Sequence, residues 1–260
     1  MVYDVTLPEP PLPDPARDAL FLDFDGTLVA LAETPDAVIV SDEMIAMLHG
    51  LDRTFAGRLA VISGRAIAVL DEFGLQGLSI AGSHGAEWRL ADGTCESLPR
   101  PSALDIARKA FVAFAARHEG VLFEDKPLGA ALHFRLAPGQ EAACVDLAKE
   151  YREGLHLQYG HAMVELRVPG VNKGTAIGTL LQRSPFAGHR PVFAGDDVTD
   201  EDGFVAVSGL GGDGVLVGSE RATAARFRLS SPAAVNEWLT RALQQSAEDL
   251  QPHRIQGNYP

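Results

Sequence analysis

Cysteine is nearly missing from this chain of 260 residues, which contains only Cys95 and Cys144. The two lie far apart in the sequence and show none of the close spacings of metal-binding cysteines, so neither a disulfide framework nor a cysteine metal site is expected. Two unpaired thiols are ordinary for a protein in a reducing compartment. We therefore predict a cytoplasmic location.

Long apolar runs and an excess of positive charge are also lacking. No uninterrupted apolar stretch approaches the roughly 20 residues of a membrane-spanning helix. The chain carries 22 Lys and Arg against 35 Asp and Glu, a formal net charge of -13, which opposes binding to nucleic acid or to an anionic membrane. We expect a monomer whose partner is a small molecule. An anionic partner stays compatible with this charge, because a bound cation can reverse the sign locally.

A basic start and an apolar middle, the marks of a signal peptide, are absent from the first 17 residues. Prolines dominate this segment instead, at positions 8, 10, 11, 13 and 15. We interpret residues 1–17 as an extended lead-in.

The rest of the chain alternates between two patterns. Continuous apolar runs, typical of strands that are covered on both faces, occur at residues 20–22, 59–62, 78–81, 192–194 and 215–217. Amphipathic stretches lie between them, with Ser41 placed to cap one helix and Lys173 at the start of another. Strands and helices in alternation predict an α/β protein with a doubly wound parallel sheet.

The middle of the chain follows a different pattern. An amphipathic helix is expected after Pro101, and then the apolar period drops to two in the segments "VLFEDK", "AALHFRL", "LHLQY" and "MVELRV". These segments predict two antiparallel hairpins separated by a second helix. We therefore expect a core of residues 18–98 and 171–250, interrupted by an α+β insert of residues 99–170.

Two carboxylates end the first buried run, in "FLDFDGT". Asp23 and Asp25 are two positions apart, so in an extended segment both side chains point the same way. Ligands of parallel sheets gather at the carboxyl ends of the strands. We interpret the pair as functional, although acids at such a turn can also act only as caps of the next element.

A second acidic group follows the apolar run 192–194, in "GDDVTDED". Asp196, Asp197 and Asp200 could form only a solvated turn at the start of a helix. Two acidic strand ends in one sheet would repel each other, however, and a hard divalent cation with oxygen ligands relieves that repulsion. Mg2+ suits carboxylates together with a substrate phosphate, so the sequence predicts a magnesium site.

Two further polar groups lie at ends of predicted elements. Ser63 follows the run 59–62, beside Gly64 and Arg65, where a hydroxyl and exposed backbone amides suit a phosphate oxygen. Lys173 stands at a helix start, where a cation opposes the helix dipole, so an anionic partner is indicated. An ordinary turn and a solvated lysine are the alternatives for these two positions.

These elements resemble the four motifs of the haloacid dehalogenase (HAD) superfamily of phosphotransferases: D-x-D-G-T, a strand-end serine, a helix-opening lysine and G-D-D-x-x-D follow in that order. A closer resemblance, over about residues 18–240, is to the trehalose-6-phosphate phosphatases. It rests on "SGR" at 63–65, "GSHGAEWR" at 82–89, "EDK" at 124–126, "HFR" at 133–135, "ELRVPGVNKG" at 165–174 and "GDDVTDEDGF" at 195–204. The resemblance implies a HAD-like Rossmannoid core with an inserted cap domain, and Mg2+-dependent hydrolysis of trehalose 6-phosphate.

The resemblance also implies roles for single residues. Asp23 is the nucleophile that forms an aspartyl-phosphate, and Asp25 is the general acid and base. The implied Mg2+ ligands are Asp23, the backbone carbonyl of Asp25 and Asp196, with Asp197 and Asp200 orienting metal-bound water or Lys173. Ser63 and Lys173 would hold phosphoryl oxygens. The implied substrate-binding residues are Arg65, Glu124, Lys126, Arg135, Glu165 and Asn172.

The period of two in the insert places polar residues on one face of its sheet. Apolar residues such as Phe123, Leu132 and Val164 alternate with that face. We expect the polar face to carry Glu124, Lys126, His133, Arg135, Glu165 and Arg167. A solvated face is the alternative. An insert between two core segments can close over the crevice, and paired donors and acceptors suit a sugar.

Two other functions fit part of the pattern. A related phosphatase of the same superfamily could act on sucrose phosphate or another sugar phosphate. A phospho-accepting signalling receiver also has an acidic cluster, but such domains are about half this length and place the acceptor aspartate later in the chain.

Overall fold

A computed structural model describes residues 7–32, 38–160 and 162–249 of the chain. Twelve strands are found in this part: β1 Asp18–Asp23, β2 Leu59–Ile62, β3 Ser79–Gly82, β4 Glu87–Arg89, β5 Cys95–Ser97, β6 Leu122–Lys126, β7 Gly129–His133, β8 His156–Gly160, β9 Met163–Arg167, β10 Arg190–Gly195, β11 Asp213–Val217 and β12 Phe227–Leu229. The helices there are α1 Asp42–Thr54, α2 Ile67–Glu72, α3 Ser102–Ala115, α4 Glu141–Glu150, α5 Lys173–Leu180, α6 Glu201–Gly209 and α7 Pro232–Asp249.

Eight strands form the larger sheet, in the order β12-β11-β10-β1-β2-β3-β4-β5. The first six in this order run parallel, and β4 and β5 are antiparallel additions at one edge. Its central strand β1 is buried along its whole length and lies between β10 and β2. Apolar clusters cover both faces of the sheet, so the α/β fold expected from the continuous apolar runs is confirmed.

Helix caps follow the expected chemistry. The Ser41 hydroxyl accepts a hydrogen bond from the Met44 amide at 3.2 Å and begins α1, whose Leu48 and Leu51 are fully buried. At α5, Asn172 and Thr175 form a reciprocal capping box. That box fixes the point at which Lys173 enters the helix.

The second sheet is antiparallel and has the order β6-β7-β9-β8. Helices α3 and α4 cover one of its faces around an apolar cluster that includes Leu104, Phe111, Leu132 and Leu166. This is the α+β arrangement expected for the insert. Strand β7 ends earlier than the sequence pattern indicated, at His133, because the chain turns there; Arg135 and Leu136 lie in the turn and are exposed.

The proline-rich segment lies against the larger sheet. The Pro8 carbonyl accepts a hydrogen bond from the Arg228 amide at 2.9 Å, and the Trp238 indole donates to the Pro11 carbonyl at 3.0 Å. Leu12 packs on the apolar cluster of one sheet face. Residues 7–14 lie outside any helix or strand, and residues 15–17 form a turn before β1. The segment is thus packed on β12 and α7, and residues 1–6 lie outside the described part.

Within the described part of the chain, no helix is both long enough and apolar enough to cross a lipid bilayer.

Candidate active site

The carboxyl ends of three adjacent strands place the site. Asp23 is the last residue of β1, Ser63 follows β2, and Asp196 follows β10. Since β1 pairs in parallel with both β2 and β10, the three side chains lie at one edge of the sheet. Lys173 reaches the same edge from the start of α5.

Lys173 connects two of the carboxylates. Its ammonium donates to Asp23 Oδ1 at 2.6 Å and to Asp200 Oδ1 at 2.5 Å. All three side chains are almost completely buried. A buried ammonium requires such partners, so the two carboxylates explain how a lysine can be buried at a helix start.

Asp200 also holds the loop that carries Asp196. Its second oxygen, Oδ2, accepts hydrogen bonds from the backbone amides of Asp196 and Asp197, both at 2.9 Å. Asp200 therefore fixes the position of Lys173 and of the acidic loop together. The Asp197 carboxylate accepts from the Val198 amide at 2.6 Å and caps the short 3-10 turn that follows.

Burial without enough positive charge raises the carboxylate pKa values. Burial raises the pKa of Asp23 from its ordinary value of 3.8 to about 7, although Lys173 acts in the opposite direction. Burial and the neighbouring Asp23 likewise raise the pKa of Asp200 to about 7, and burial raises that of Asp196. Burial works against the charge of Lys173, but Asp23 and Asp200 raise its pKa overall, so it stays protonated.

Asp23, Asp196 and Asp200 form a candidate metal site. One carboxylate oxygen from each lies within 4.8 Å of the others. The Thr27 hydroxyl lies between Asp23 Oδ2 and Asp196 Oδ1, at 3.3 Å from each. One ammonium cannot neutralise three carboxylates, so the donor set fits a hard divalent cation. Gly26 permits the close approach, since a Cβ there would lie 2.1 Å from Asp196 Oδ2.

Asp25 has a separate partner that sequence reasoning missed. Arg65 binds its carboxylate through two hydrogen bonds, from Nε to Oδ2 and from Nη2 to Oδ1, each at 2.7 Å. The guanidinium also lies over the Phe73 and Phe24 rings, at 5.3 and 5.8 Å. The "SGR" motif identified Arg65, but its partner lies 40 residues earlier in the turn after β1, and no local pattern reveals the pair.

Ser63 is buried beside an unusual turn. Its hydroxyl accepts from the Arg65 amide at 3.1 Å, and its carbonyl accepts from the His84 amide at 2.9 Å. Ser83 and His84 have positive φ angles of 50° and 60°, a backbone conformation that residues other than glycine seldom adopt. The turn places the His84 ring against Gly64, where a Cβ would lie 2.7 Å from Cε1.

The polar face of the smaller sheet carries an ionic network. The Lys126 ammonium donates to Glu165 Oε2 at 3.0 Å and lies 3.6 Å from Glu124 Oε2. His133 Nε2 lies 2.8 Å from the same Glu124 oxygen. Strand register places these residues and Arg167 on one face, as expected. Arg135 lies in the turn beyond this face.

A narrow cleft joins the two sheets. From the larger sheet it is lined by Gly64, Ser83 and His84; from the smaller sheet it is lined by Lys126, Leu128, Gly129, Glu165 and Arg167. The cleft thus brings the polar face next to the loop of Ser63. Asn172 is the capping residue of α5, and no contact of its side chain with the cleft is observed in the described part of the chain. His84 and Arg167 are additional lining residues. The sequence pattern predicted Arg167 on the polar face, whereas His84 was assigned no role.

Known proteins are similar to this chain in sequence. The trehalose-phosphatase family matches residues 21–233. The trehalose-6-phosphate phosphatase of Escherichia coli K12 is 39% identical over 90% of this chain and 91% of its own. A probable trehalose-phosphate phosphatase of Sinorhizobium fredii is 42% identical over 77% of each chain.

Solved structures agree in fold. A trehalose-6-phosphate phosphatase related protein superposes with a TM-score of 0.73 at 24% identity, over 89% of this chain and 99% of its own. A HAD-superfamily phosphatase of Bacteroides thetaiotaomicron gives a TM-score of 0.60 at 18% identity, over 95% of this chain and 98% of its own. At such identities the likeness concerns the fold alone.

The parallel sheet and the inserted antiparallel sheet give the chain the fold of that HAD-superfamily phosphatase. Among proteins of this fold, the chain belongs to the trehalose-phosphatase family. A signalling receiver is thereby set aside.

Proposed function

We propose that the protein hydrolyses trehalose 6-phosphate to trehalose and inorganic phosphate. The observation that carries this proposal is Asp23, buried and paired with Lys173 at the strand edge. A cleft brings a face of sugar-compatible donors and acceptors next to the loop of Ser63, which follows the adjacent strand at the same edge. The names of the two bacterial relatives support the same substrate.

The proposed chemistry has two steps on Asp23. A carboxylate oxygen of Asp23 attacks phosphorus, the bond from phosphorus to the sugar oxygen breaks, and Asp25 gives its proton to that oxygen. Asp25 then takes a proton from water, whose oxygen attacks phosphorus and releases phosphate from Asp23. Lys173 and the Ser63 hydroxyl hold phosphoryl oxygens.

Asp25 must leave its ion pair to act as the acid. In this arrangement Arg65 holds both of its carboxylate oxygens. We propose that Arg65 turns to the substrate phosphate, which frees Asp25 to take up a proton.

We propose Mg2+ as the cation of the acidic site, held by Asp23, the Asp25 carbonyl and Asp196. The burial of the carboxylates and the shortage of positive charge around them support this assignment. When bound, it would neutralise charge on the phosphoryl oxygens. The carboxylate of Asp197 caps the following turn, so its role toward the cation would be indirect; Asp200 positions the loop and Lys173.

We propose that residues 99–170 are the cap domain, inserted between core segments 18–98 and 171–250. Its residues Glu124, Lys126, Arg135 and Glu165 would bind the sugar, and Asn172 would contribute from the start of α5. Both cysteines are free thiols, which supports a cytoplasmic location. A monomer is the proposed state, and light scattering in solution tests it.

The function is tested by phosphate release from a panel of sugar phosphates with Mg2+ and with excess chelator. We expect the kcat/KM for trehalose 6-phosphate to exceed that for sucrose 6-phosphate and glucose 6-phosphate at least tenfold, and chelation to abolish turnover. Preference for sucrose 6-phosphate would assign the alternative substrate, and full activity in chelator would contradict the metal site.

A further inference from the structure

The cleft contains a cation to which the proposed mechanism gives no role. Arg167 ends β9 and lines the cleft together with His84 and Gly64. Its Nε and Nη1 are buried and have no hydrogen-bond partner within residues 7–32, 38–160 and 162–249. Buried guanidinium donors are rarely left unsatisfied, because they have lost their water without gaining an acceptor.

The neighbouring acids do not supply these acceptors. Burial lowers the pKa of Arg167, while the charges of Glu165 and Asp202 oppose that change. The Glu165 carboxylate is bound to Lys126 at 3.0 Å instead. Asp202 is exposed at the start of α6. The two carboxylates balance the charge of Arg167 at a distance and leave its buried donors open.

Small residues lie beside Arg167 on the floor of the cleft, and the Glu165 carboxylate packs over one of them. Strand register places Gly129 directly opposite Arg167, and Ala131 opposite Glu165. Glycine is required at position 129, since a Cβ would lie 2.6 Å from Glu165 Oε1. Across β8, the Gln158 Oε1 is also buried without a partner in the described chain. The donors of Arg167 and the acceptor of Gln158, which have no partner in the described chain, thus lie on the same sheet face as Gly129 and Ala131.

His84 forms the wall of the cleft on the side of Ser63. Burial lowers the pKa of its imidazole to about 3, so the ring is neutral and offers one donor and one acceptor. Its left-handed backbone places the ring against Gly64. A neutral ring between cations suits a hydroxyl group, which both donates and accepts.

We propose that Arg167 and His84 form a subsite for sugar hydroxyl groups and that Arg167 is a specificity-determining residue. The inference rests on the proposed function. A hydroxyl fits better than a second phosphate, because the buried Glu165 two residues away would repel an anion. The hydroxyl oxygen accepts from Arg167, and its proton is available to Glu165 or His84.

The test compares Arg167→Met with Arg117→Met, a matched change at an exposed arginine after α3 whose side chain donates to the Ala113 carbonyl. Initial rates are measured with trehalose 6-phosphate and with 4-nitrophenyl phosphate, which lacks a sugar. We expect Arg167→Met to lower kcat/KM for the sugar phosphate about 10- to 100-fold, the range for a hydrogen bond to a charged group. The rate with the aryl phosphate and the inhibition constant of inorganic phosphate should change less than about twofold, and Arg117→Met should change neither.

Three results would overturn the subsite. An equal decrease in kcat/KM on both substrates would mean that Arg167 contacts the phosphate or stabilises the fold. No decrease on either substrate would mean that it does not bind the sugar. The same selective loss in Asp202→Asn would mean that Arg167 acts through an ion pair with α6. His84→Asn, which tolerates the left-handed backbone, should show a smaller selective loss while keeping its circular dichroism spectrum.

The substrate proposal is judged separately, on the wild-type protein. If the wild type prefers another sugar phosphate, the substrate assignment fails. The ratio of sugar-phosphate to aryl-phosphate turnover in Arg167→Met still decides the subsite, with that sugar phosphate in place of trehalose 6-phosphate.

Discussion

Asp23 and Asp25 are both carboxylates at one strand end, yet their surroundings differ. Asp23 is buried, paired with Lys173 and has a pKa raised by burial to about 7. Asp25 is half-exposed and held by Arg65. An acid that reaches solvent can exchange protons, whereas a buried acid held by an ammonium is positioned for attack. The environments thus support the division of labour.

We predict that the two isosteric variants fail at different steps. Asp23→Asn lacks the nucleophile and should lose at least about 1000-fold in kcat on every substrate. Asp25→Asn lacks the acid and base, so it should still accept phosphate from 4-nitrophenyl phosphate, whose leaving group needs no proton. Rapid-mixing absorbance should show a burst of about one equivalent of nitrophenolate in Asp25→Asn and none in Asp23→Asn. A burst from Asp23→Asn would contradict the nucleophile assignment.

At the residue scale, the sequence predicted those features that depend on spacing along the chain. The spacing of Asp23 and Asp25 and the strand-end position of Asp196 were read directly from sequence, and the structure brings Asp23 and Asp196 to one edge. The pair of Asp25 with Arg65, and the turn that carries His84, were missed. Both depend on contacts between strands and on a strained backbone, which side-chain spacing does not encode.

At the scale of elements, the loop between β11 and β12 is connected to the acidic loop after β10. Arg221 Nη2 donates to the Asp197 carbonyl at 2.8 Å and to the Asp196 carbonyl at 3.4 Å. Its Nη1 donates to Glu201, which in turn accepts from the Ala224 amide. We interpret Arg221 as a positioning residue for the loop that carries Asp196.

We predict that Arg221→Lys weakens Mg2+ binding, because an ammonium cannot bridge both carbonyls and Glu201 as the planar guanidinium does. Isothermal titration should show Mg2+ affinity reduced about tenfold, roughly the value of one such charged hydrogen bond, with kcat largely restored at saturating Mg2+. Arg228→Lys is the matched control, since Arg228 bonds to Gly218 and Glu220 in the same loop. Unchanged affinity in Arg221→Lys, or an equal decrease in both variants, would contradict the positioning role.

Element types were more predictable than element ends. Strands β1, β2, β10 and β11 contain continuous apolar runs, because burial on both faces leaves that signature. In the smaller sheet, the pattern of alternation continued through Arg135 and Leu136, but the strand ends at His133. Alternation reports which face a residue would take in a strand and does not report where the hydrogen-bonded ladder stops.

At the scale of the whole molecule, negative charge dominates both the chain and its candidate metal site. A protein with a formal charge of -13 concentrates three carboxylates at one buried edge with one ammonium among them. Apolar clusters on both faces of the larger sheet hold this edge in place. The carboxylates therefore stay close together in the folded protein, and a divalent cation would relieve their mutual repulsion.

We predict that metal-free protein loses stability as pH rises from about 4 to about 7. The raised pKa values of Asp23 and Asp200, both about 7, mean that the folded state holds these protons more tightly than the unfolded state, so their contribution is favourable below pH 4 and is lost as pH rises. Because Mg2+ competes with the same protons, it should raise the melting temperature at pH 8 and much less at pH 5. At about 100 times its dissociation constant the gain is about 2.7 kcal/mol. Thermal unfolding with Mg2+ and with chelator measures this gain. In Asp23→Asn, the stability of the metal-free protein should depend less steeply on pH. A larger Mg2+ effect on the melting temperature at pH 5 than at pH 8 would contradict the assignment.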